Sequence, residues 1–128
     1  MPYINVKLNV KPSDELRKKI VDRVLENTTN ILNKKADVTS VLVEFVSPNT
    51  WSVGGKNVPT FYLDIKITKG TNTKEQKANY IKKCYSDFAE ILGEISPASY
   101  SVIDEVNADS WGFEGVTQEY RYIQSKTV

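Results

Sequence analysis

Met1-Pro2-Tyr3-Ile4-Asn5-Val6-Lys7-Leu8 opens the chain, and Tyr62-Leu63-Asp64-Ile65-Lys66-Ile67 repeats its strand residue type for residue type. In the first copy Ile4, Val6, Leu8 and Val10 share one face, and Tyr3, Asn5, Lys7 and Asn9 share the other. A period of two is the mark of a strand with one buried face. The likeness runs on past the strands. Pro12-Ser13-Asp14-Glu15 starts a helix, with Ser13 as N-cap and acids in the first turn, and Thr73-Lys74-Glu75 starts another. Leu16, Ile20, Val24, Thr28, Ile31 and Leu32 form the stripe of the first helix, which should end near Asn33. The second stripe is Tyr80, Ile81, Cys84, Tyr85, Phe88, Ile91 and Leu92, with Gly93 as its stop. β-rich segments follow at Thr39 to Val46 and Ser99 to Val106. Trp51-Ser52-Val53-Gly54-Gly55 is then echoed by Trp111-Gly112-Phe113-Glu114-Gly115. From the helices onward the halves align without gaps, Trp51 on Trp111 and Glu44 on Asp104. This internal repeat is the strongest structural signal in the chain.

Each half therefore reads strand, helix, strand. Strands joined by a crossover helix run parallel, with a right-handed connection. The expected fold is α+β: one domain over residues 1–128, with repeats at 2–58 and 59–128. Two β-α-β units would share a four-stranded sheet, with both helices on its apolar face. The opposite face, carrying Tyr3, Asn5, Lys7, Asp64 and Lys66, suits association with other subunits.

Composition narrows the chemistry. The chain has 128 residues, no His, one Cys and a formal net charge of +1. Lack of His excludes Ser-His-Asp and Cys-His machinery and most catalytic zinc sites. Cys84 falls on a helix stripe and reads as a small core residue. The glycines do not fit a phosphate-binding loop, so no cofactor or metal is expected. The near-neutral charge argues against nucleic acid or an anionic membrane as partner. There is neither an apolar run of the ~20 residues needed to span a bilayer nor a signal-peptide core. A cytoplasmic protein is expected.

An amine is then the notable group. Loss of Met1 would make Pro2 the first residue and turn its nitrogen from an amide into a free secondary amine. Such a group starts near the α-amino pKa of roughly 8. Burial or a nearby Lys lowers it towards neutrality, where a general base works best.

Pro2-Tyr3-Ile4-Asn5-Val6-Lys7, Trp51-Ser52-Val53-Gly54-Gly55, Lys74-Glu75-Gln76-Lys77 and Val102-Ile103-Asp104-Glu105-Val106…Trp111-Gly112, in that order and spacing, resemble the tautomerase superfamily. The second half is similar to a complete 4-oxalocrotonate tautomerase-type subunit, and the chain to a fused pair. The resemblance covers Pro2 to about Tyr122. It implies a homotrimer with a central barrel of sheets and helices outside. It also implies a cofactor-free keto–enol tautomerase acting on a small α-keto acid or enol, with Pro2 as general base. Phe61 corresponds to Pro2 in the second half, so each chain should own one site. The positions matching the arginines of short tautomerases are Pro12 or Ser40, and the Gly70-Thr71 turn or Tyr100; none is Arg. Arg17, Arg23 and Arg121 are expected elsewhere, the first two on the solvent face of the first helix. Lys69 is then the candidate cation for a substrate carboxylate, Tyr100 the donor to a developing enolate oxygen, and Trp111 the wall that excludes water. Glu114 and Asp37 lie near positions where relatives activate water. Two other functions stay open: a hydratase, dehalogenase or decarboxylase of a small acid using protonated Pro2, or a non-catalytic trimeric binding protein.

Overall fold

The structure is a computed structural model and describes residues 1–126. Strand β1 (Tyr3–Leu8) leads into helix α1 (Asp14–Asn30), which returns to β2 (Ser40–Phe45). The second unit is β3 (Phe61–Thr68), α2 (Lys74–Leu92) and β4 (Tyr100–Val106). A short hairpin, β5 (Gly112–Phe113) and β6 (Val116–Thr117), and a last helix, α3 (Gln118–Ser125), close the described chain. The sheet order is β2-β1-β3-β4. Each unit pairs its own strands in parallel, and β1 meets β3 antiparallel with Tyr3 opposite Lys66 and Leu8 opposite Phe61. The duplicated strands thus sit side by side at the centre, related by an approximate two-fold.

Strand alternation decides which face is buried. Ile4, Val6, Leu8, Leu63, Ile65 and Ile67 are wholly inaccessible to solvent. Ile20 and Val24 of α1 and Tyr80, Cys84 and Phe88 of α2 pack over them. Phe88 meets Phe61 edge-on, with centroids 4.6 Å apart. Cys84 lies in this core as expected, where burial pushes its thiol up to about 11. Ile81, placed on the stripe by its spacing, is instead partly exposed. Both N-caps form. Ser13 Oγ accepts from Leu16 N at 3.2 Å, and Thr73 and Gln76 make a reciprocal capping box.

Between the helices lies a polar seam that the stripes did not announce. Asp87 is buried, yet it accepts from Arg23 at 2.7 Å, from Asn27 at 2.8 Å and from Lys83 at 2.6 Å. Arg23 therefore does not lie on a free solvent face: its guanidinium holds α1 to α2. Arg17 is exposed on the solvent face as expected, where it stacks over the Phe45 ring, 5.4 Å from its centroid, and pairs with Asp14. Among the described residues no helix is long and apolar enough to cross a membrane.

Candidate active site

The chain enters β1 at the end of the sheet where β2 begins. Ser40 N donates to Pro2 O at 3.1 Å, and Pro2 is buried. Trp111 Nε1 donates to Met1 O at 2.9 Å, so the hairpin of the second half clamps the terminus of the first. A cavity of about 460 Å³ opens beside Met1. Lys34, Lys35 and Asp37, from the turn after α1, form one wall; Phe113, Gln118 and Arg121 form the other.

The local folding of these walls is traceable. Gly54 and Gly55 in the first copy, and Glu114 and Gly115 in the second, have positive φ at both turn positions. This is the geometry that a tight hairpin requires. Gln118 N then donates to Trp111 O at 2.7 Å, and Thr117 caps α3 by accepting from Tyr120 N at 3.0 Å. α3 is thereby folded back over the hairpin. Arg121 donates from Nη2 to Phe113 O at 2.9 Å, and its guanidinium lies over the Phe113 ring, 3.7 Å from the centroid. Glu114 Oε1 is 3.9 Å from the same Nη2.

The pocket wall carries more positive than negative side chains. Burial lowers the pKa of the terminal amine, here that of Met1, and the nearby positive charge of Lys34 lowers it further. Lys34 is itself half-buried, and burial depresses its pKa against the opposing pull of Glu105. It donates to Thr71 Oγ1 at 2.8 Å. Three side-chain cations thus face one acid, Asp37, around the amine.

The approximate two-fold supplies a control. A second cavity, of about 630 Å³, occupies the equivalent place in the other half. There Glu94 stands for Lys34, Ile95 for Lys35, Pro97 for Asp37, Val53 for Phe113 and Val58 for Gln118, with Pro59 beside them. The duplicate lacks the two turn lysines and keeps one cation, Lys56, facing the acid Glu94, and Phe61 stands at the place of Pro2.

The expected site residues are brought together only in part. Trp111 reaches the Met1 carbonyl that is bonded to the Pro2 nitrogen, but neither Pro2 nor Trp111 lines the cavity, and Trp111 borders a separate one with Asp109 and Val116. Lys69 lies at the same end of the sheet, its N donating to Val106 O at 2.8 Å, but it is exposed and does not line the cavity. Tyr100 is 64% exposed. Tyr3 is level with Lys66, and Lys66 with Asp104, so Tyr100 sits four residues further along β4. That is roughly 13 Å along the strand at ~3.3 Å per residue, besides two strand spacings of about 4.8 Å. Within one chain the sheet holds it well away from Pro2. Glu114 is on the hairpin rim, and Asp37 lines the cavity. The arginine thought to be elsewhere is here: Arg121 lines the pocket from α3. Its place follows from the Trp111–Gln118 backbone bond, which the strand and helix repeats do not encode.

Two tandem β-α-β units on one sheet, with Met1 lining a pocket beside Lys34, Lys35 and Arg121, define a small duplicated-unit fold. The profile of the tautomerase enzyme family matches residues 2–60 and 62–120, and the chain belongs to that family. It is a tautomerase-type isomerase. A probable tautomerase of Helicobacter pylori is 31% identical over 61 residues, which is 45% of this chain and 90% of that protein. Probable tautomerase K2 of Dickeya dadantii is 35% identical over 54 residues, 42% of this chain and 81% of that one. Among solved structures, the R7 fused 4-OT wild type asymmetric trimer gives a TM-score of 0.84 at 20% identity, covering 94% of this chain and 98% of that chain. Pt0534 inactivated by 2-oxo-3-pentynoate gives 0.85 at 15% identity, with 93% and 98% covered. A macrophage migration inhibitory factor-like protein from Entamoeba histolytica gives 0.78 at 19%, with 91% and 97% covered. These structural likenesses concern the fold.

Proposed function

We propose that the protein is a keto–enol tautomerase of small α-keto acids or their enols, with the Pro2 amine as general base once Met1 has been removed. The observation that carries this is a buried Pro2 joined to Met1, which lines a cavity with Lys34 and Lys35; the amine there, that of Met1, is held below its ordinary pKa by burial and by Lys34. A neutral amine is a base; a protonated one is not.

Met1 indicates where the substrate would sit. Its carbonyl carbon is bonded to the Pro2 nitrogen, and its oxygen accepts from Trp111 Nε1 at 2.9 Å. With Met1 gone, the indole N–H is free to donate to a substrate oxygen beside the new amine. The step then reads as follows. Pro2 takes a proton from the carbon next to the ketone, the C–H electron pair moves into the C–C bond, and the carbonyl oxygen becomes an enolate held by Trp111. Protonation of that oxygen gives the enol; in reverse, the ammonium returns its proton to carbon. Lys34, inside the pocket, supplies the cation that Lys69 was expected to supply. Trp111 thus adds a donor's role to that of a wall.

Asp37 lining the same cavity supports a second reading, in which it activates water while protonated Pro2 acts as acid. Lys34 and Lys35 in the same cavity disfavour a protonated amine and rank that reading below tautomerisation.

A homotrimer is part of the proposal, since fused 4-OT neighbours are described as trimers. Leu42, Tyr100 and Val102 are exposed on the strands, and Asp64 Oδ1 is buried without a partner among the described residues. Only from a neighbouring subunit would Tyr100 approach the amine.

The test is covalent. 2-Oxo-3-pentynoate, which inactivates Pt0534, is expected to add one equivalent to the peptide beginning at Pro2 and to abolish phenylpyruvate tautomerisation. Labelling elsewhere, or turnover unchanged in Pro2→Ala, refutes the assignment.

A further inference from the structure

We infer that Met1 is cut from this chain efficiently only before the β5–β6 hairpin closes, because the finished fold clamps the bond between Met1 and Pro2 through Trp111. Loss of Met1 is a hydrolysis. Water adds to the Met1 carbonyl carbon, the bond to the Pro2 nitrogen breaks, and that nitrogen takes a proton as free methionine leaves. An aminopeptidase must therefore enclose Met1, polarise its carbonyl oxygen and reach past it to Pro2. The fold already occupies those positions. Met1 is half-buried and lines the cavity with Lys34, Phe113 and Arg121. Its oxygen accepts from Trp111 Nε1 at 2.9 Å. Pro2 is buried, and its own oxygen accepts from Ser40 N at 3.1 Å. One residue on, Tyr3 is paired on both sides, with Ser40 of β2 and Lys66 of β3.

The clamp is particular to the terminus. In the other repeat Thr60 stands at the place of Met1, and its oxygen accepts from Asn9 N at 3.3 Å. Trp51, the copy of Trp111, lines a cavity with Lys7 and Tyr62 instead. Duplication alone therefore does not put an indole on the scissile carbonyl.

Chain order sets the window for cleavage. Trp111 follows Met1 by 110 positions. At roughly 5–20 residues per second, the terminus waits on the order of 5–20 s during synthesis before its clamp exists. A chain that keeps Met1 through that interval is then protected by its own fold. Later cleavage must wait for local opening, and its rate follows the population of the open form. Each hydrogen bond weights that equilibrium towards the closed form by about twofold to tenfold. The bonds at Met1 O and Pro2 O act together, and burial of Pro2 adds to them. The pool of folded chains is thereby divided into processed and persistently capped molecules. The inference concerns access to the bond and does not depend on the chemistry assigned to Pro2.

The experiment gives purified methionine aminopeptidase the folded full-length chain with Met1 retained, made with the host enzyme inhibited, and follows intact mass over time. The free peptide of residues 1–8 is the reference. Wild type should lose Met1 at least about a hundredfold more slowly than the peptide. Trp111→Phe, which removes only the donor, should speed the loss about twofold to tenfold. Gly112→Ala, which forces the hairpin open, should speed it further. Asp87→Ala weakens the contact between the helices, outside the terminal pocket. It should leave the rate within about twofold of wild type while the chain stays folded, since the opening is local. Wild type cleaved as fast as the peptide would overturn the inference. So would Trp111→Phe cleaved no faster than wild type. Asp87→Ala accelerating cleavage as much as Trp111→Phe would also overturn it, because protection would then come from the whole fold. Mass alone is read, so none of these outcomes bears on whether Pro2 is the base.

Discussion

Replacing Trp111 by Phe isolates one hydrogen bond. The indole N–H donates at 2.9 Å to the oxygen next to the Pro2 nitrogen, and the residue is half-buried. Phe keeps an aromatic ring against the hairpin and removes only the donor. A hydrogen bond to a charged group is worth about 1.5–3 kcal/mol. At ~1.4 kcal/mol per tenfold, that is roughly ten- to a hundredfold in kcat. Loss of a donor from a fully water-free site costs about 10²–10³-fold, so partial exposure of Trp111 argues for the lower figure. The expected result for phenylpyruvate is a kcat reduced about tenfold or somewhat more, with KM nearly unchanged and the melting temperature within a few degrees of wild type. A donor used only in the transition state has that signature. A kcat within about twofold of wild type would refute the assignment. So would a loss fully explained by lowered stability, which would make Trp111 a clamp and nothing more.

Asp87→Ala should destabilise the fold by about 2–3 kcal/mol in urea titrations, since it leaves Arg23, Lys83 and Asn27 facing a lost acceptor. Burial opposes the Asp87 charge, but the bonds from Lys83, Asn27 and Arg23 outweigh it and hold the carboxyl below its ordinary range. Its stabilisation is therefore full above the unfolded-state pKa of about 3.9 and lost as pH falls through the lower folded value. Asp87→Asn should flatten that acid limb of the stability curve, as read by melting temperature against pH. Lys34→Gln should move the acid limb of kcat/KM to higher pH, because the nearby charge that helps keep the amine neutral is gone. Gly112→Ala should abolish turnover while leaving the main sheet's circular dichroism intact: a Cβ there would meet Val116 O at 2.1 Å, forcing β5 and β6 apart and Phe113 with them.

The architecture was legible because its signals are periodic and duplicated. Ile4, Val6 and Leu8 alternate as Leu63, Ile65 and Ile67 do, and each set is sealed beneath a helix. Gly93 and the capping residues mark boundaries by local chemistry alone. Pro2 and Trp111 could also be singled out, since one is a backbone property and the other has a copy at Trp51. The side chains that line the pocket beside Met1 were not readable. Lys34 looked like one of two lysines in a turn, and only its burial between α1 and Thr71 distinguishes it from Lys35. Arg121 lies past the repeated stretch, so alignment of the halves is silent on it, and a hairpin bond of 2.7 Å places it. Asp87 is a polar residue on a buried helix face, which a stripe of apolar positions passes over. Tyr100 is exposed and far along β4 from Pro2, so a role for it would rest on a second chain, a property that one chain's sequence does not display.

The central claim is that the nitrogen of residue 2 handles the proton. The most direct measurement is phenylpyruvate turnover by two preparations of the same chain, one with Met1 removed and one with it retained, each verified by intact mass. The processed protein should be active, with a kcat/KM that falls only below the ordinary α-amino pKa of about 8. The retained form, whose residue-2 nitrogen is an amide, should be inactive while keeping the same fold. Equal turnover by the two preparations would contradict the account.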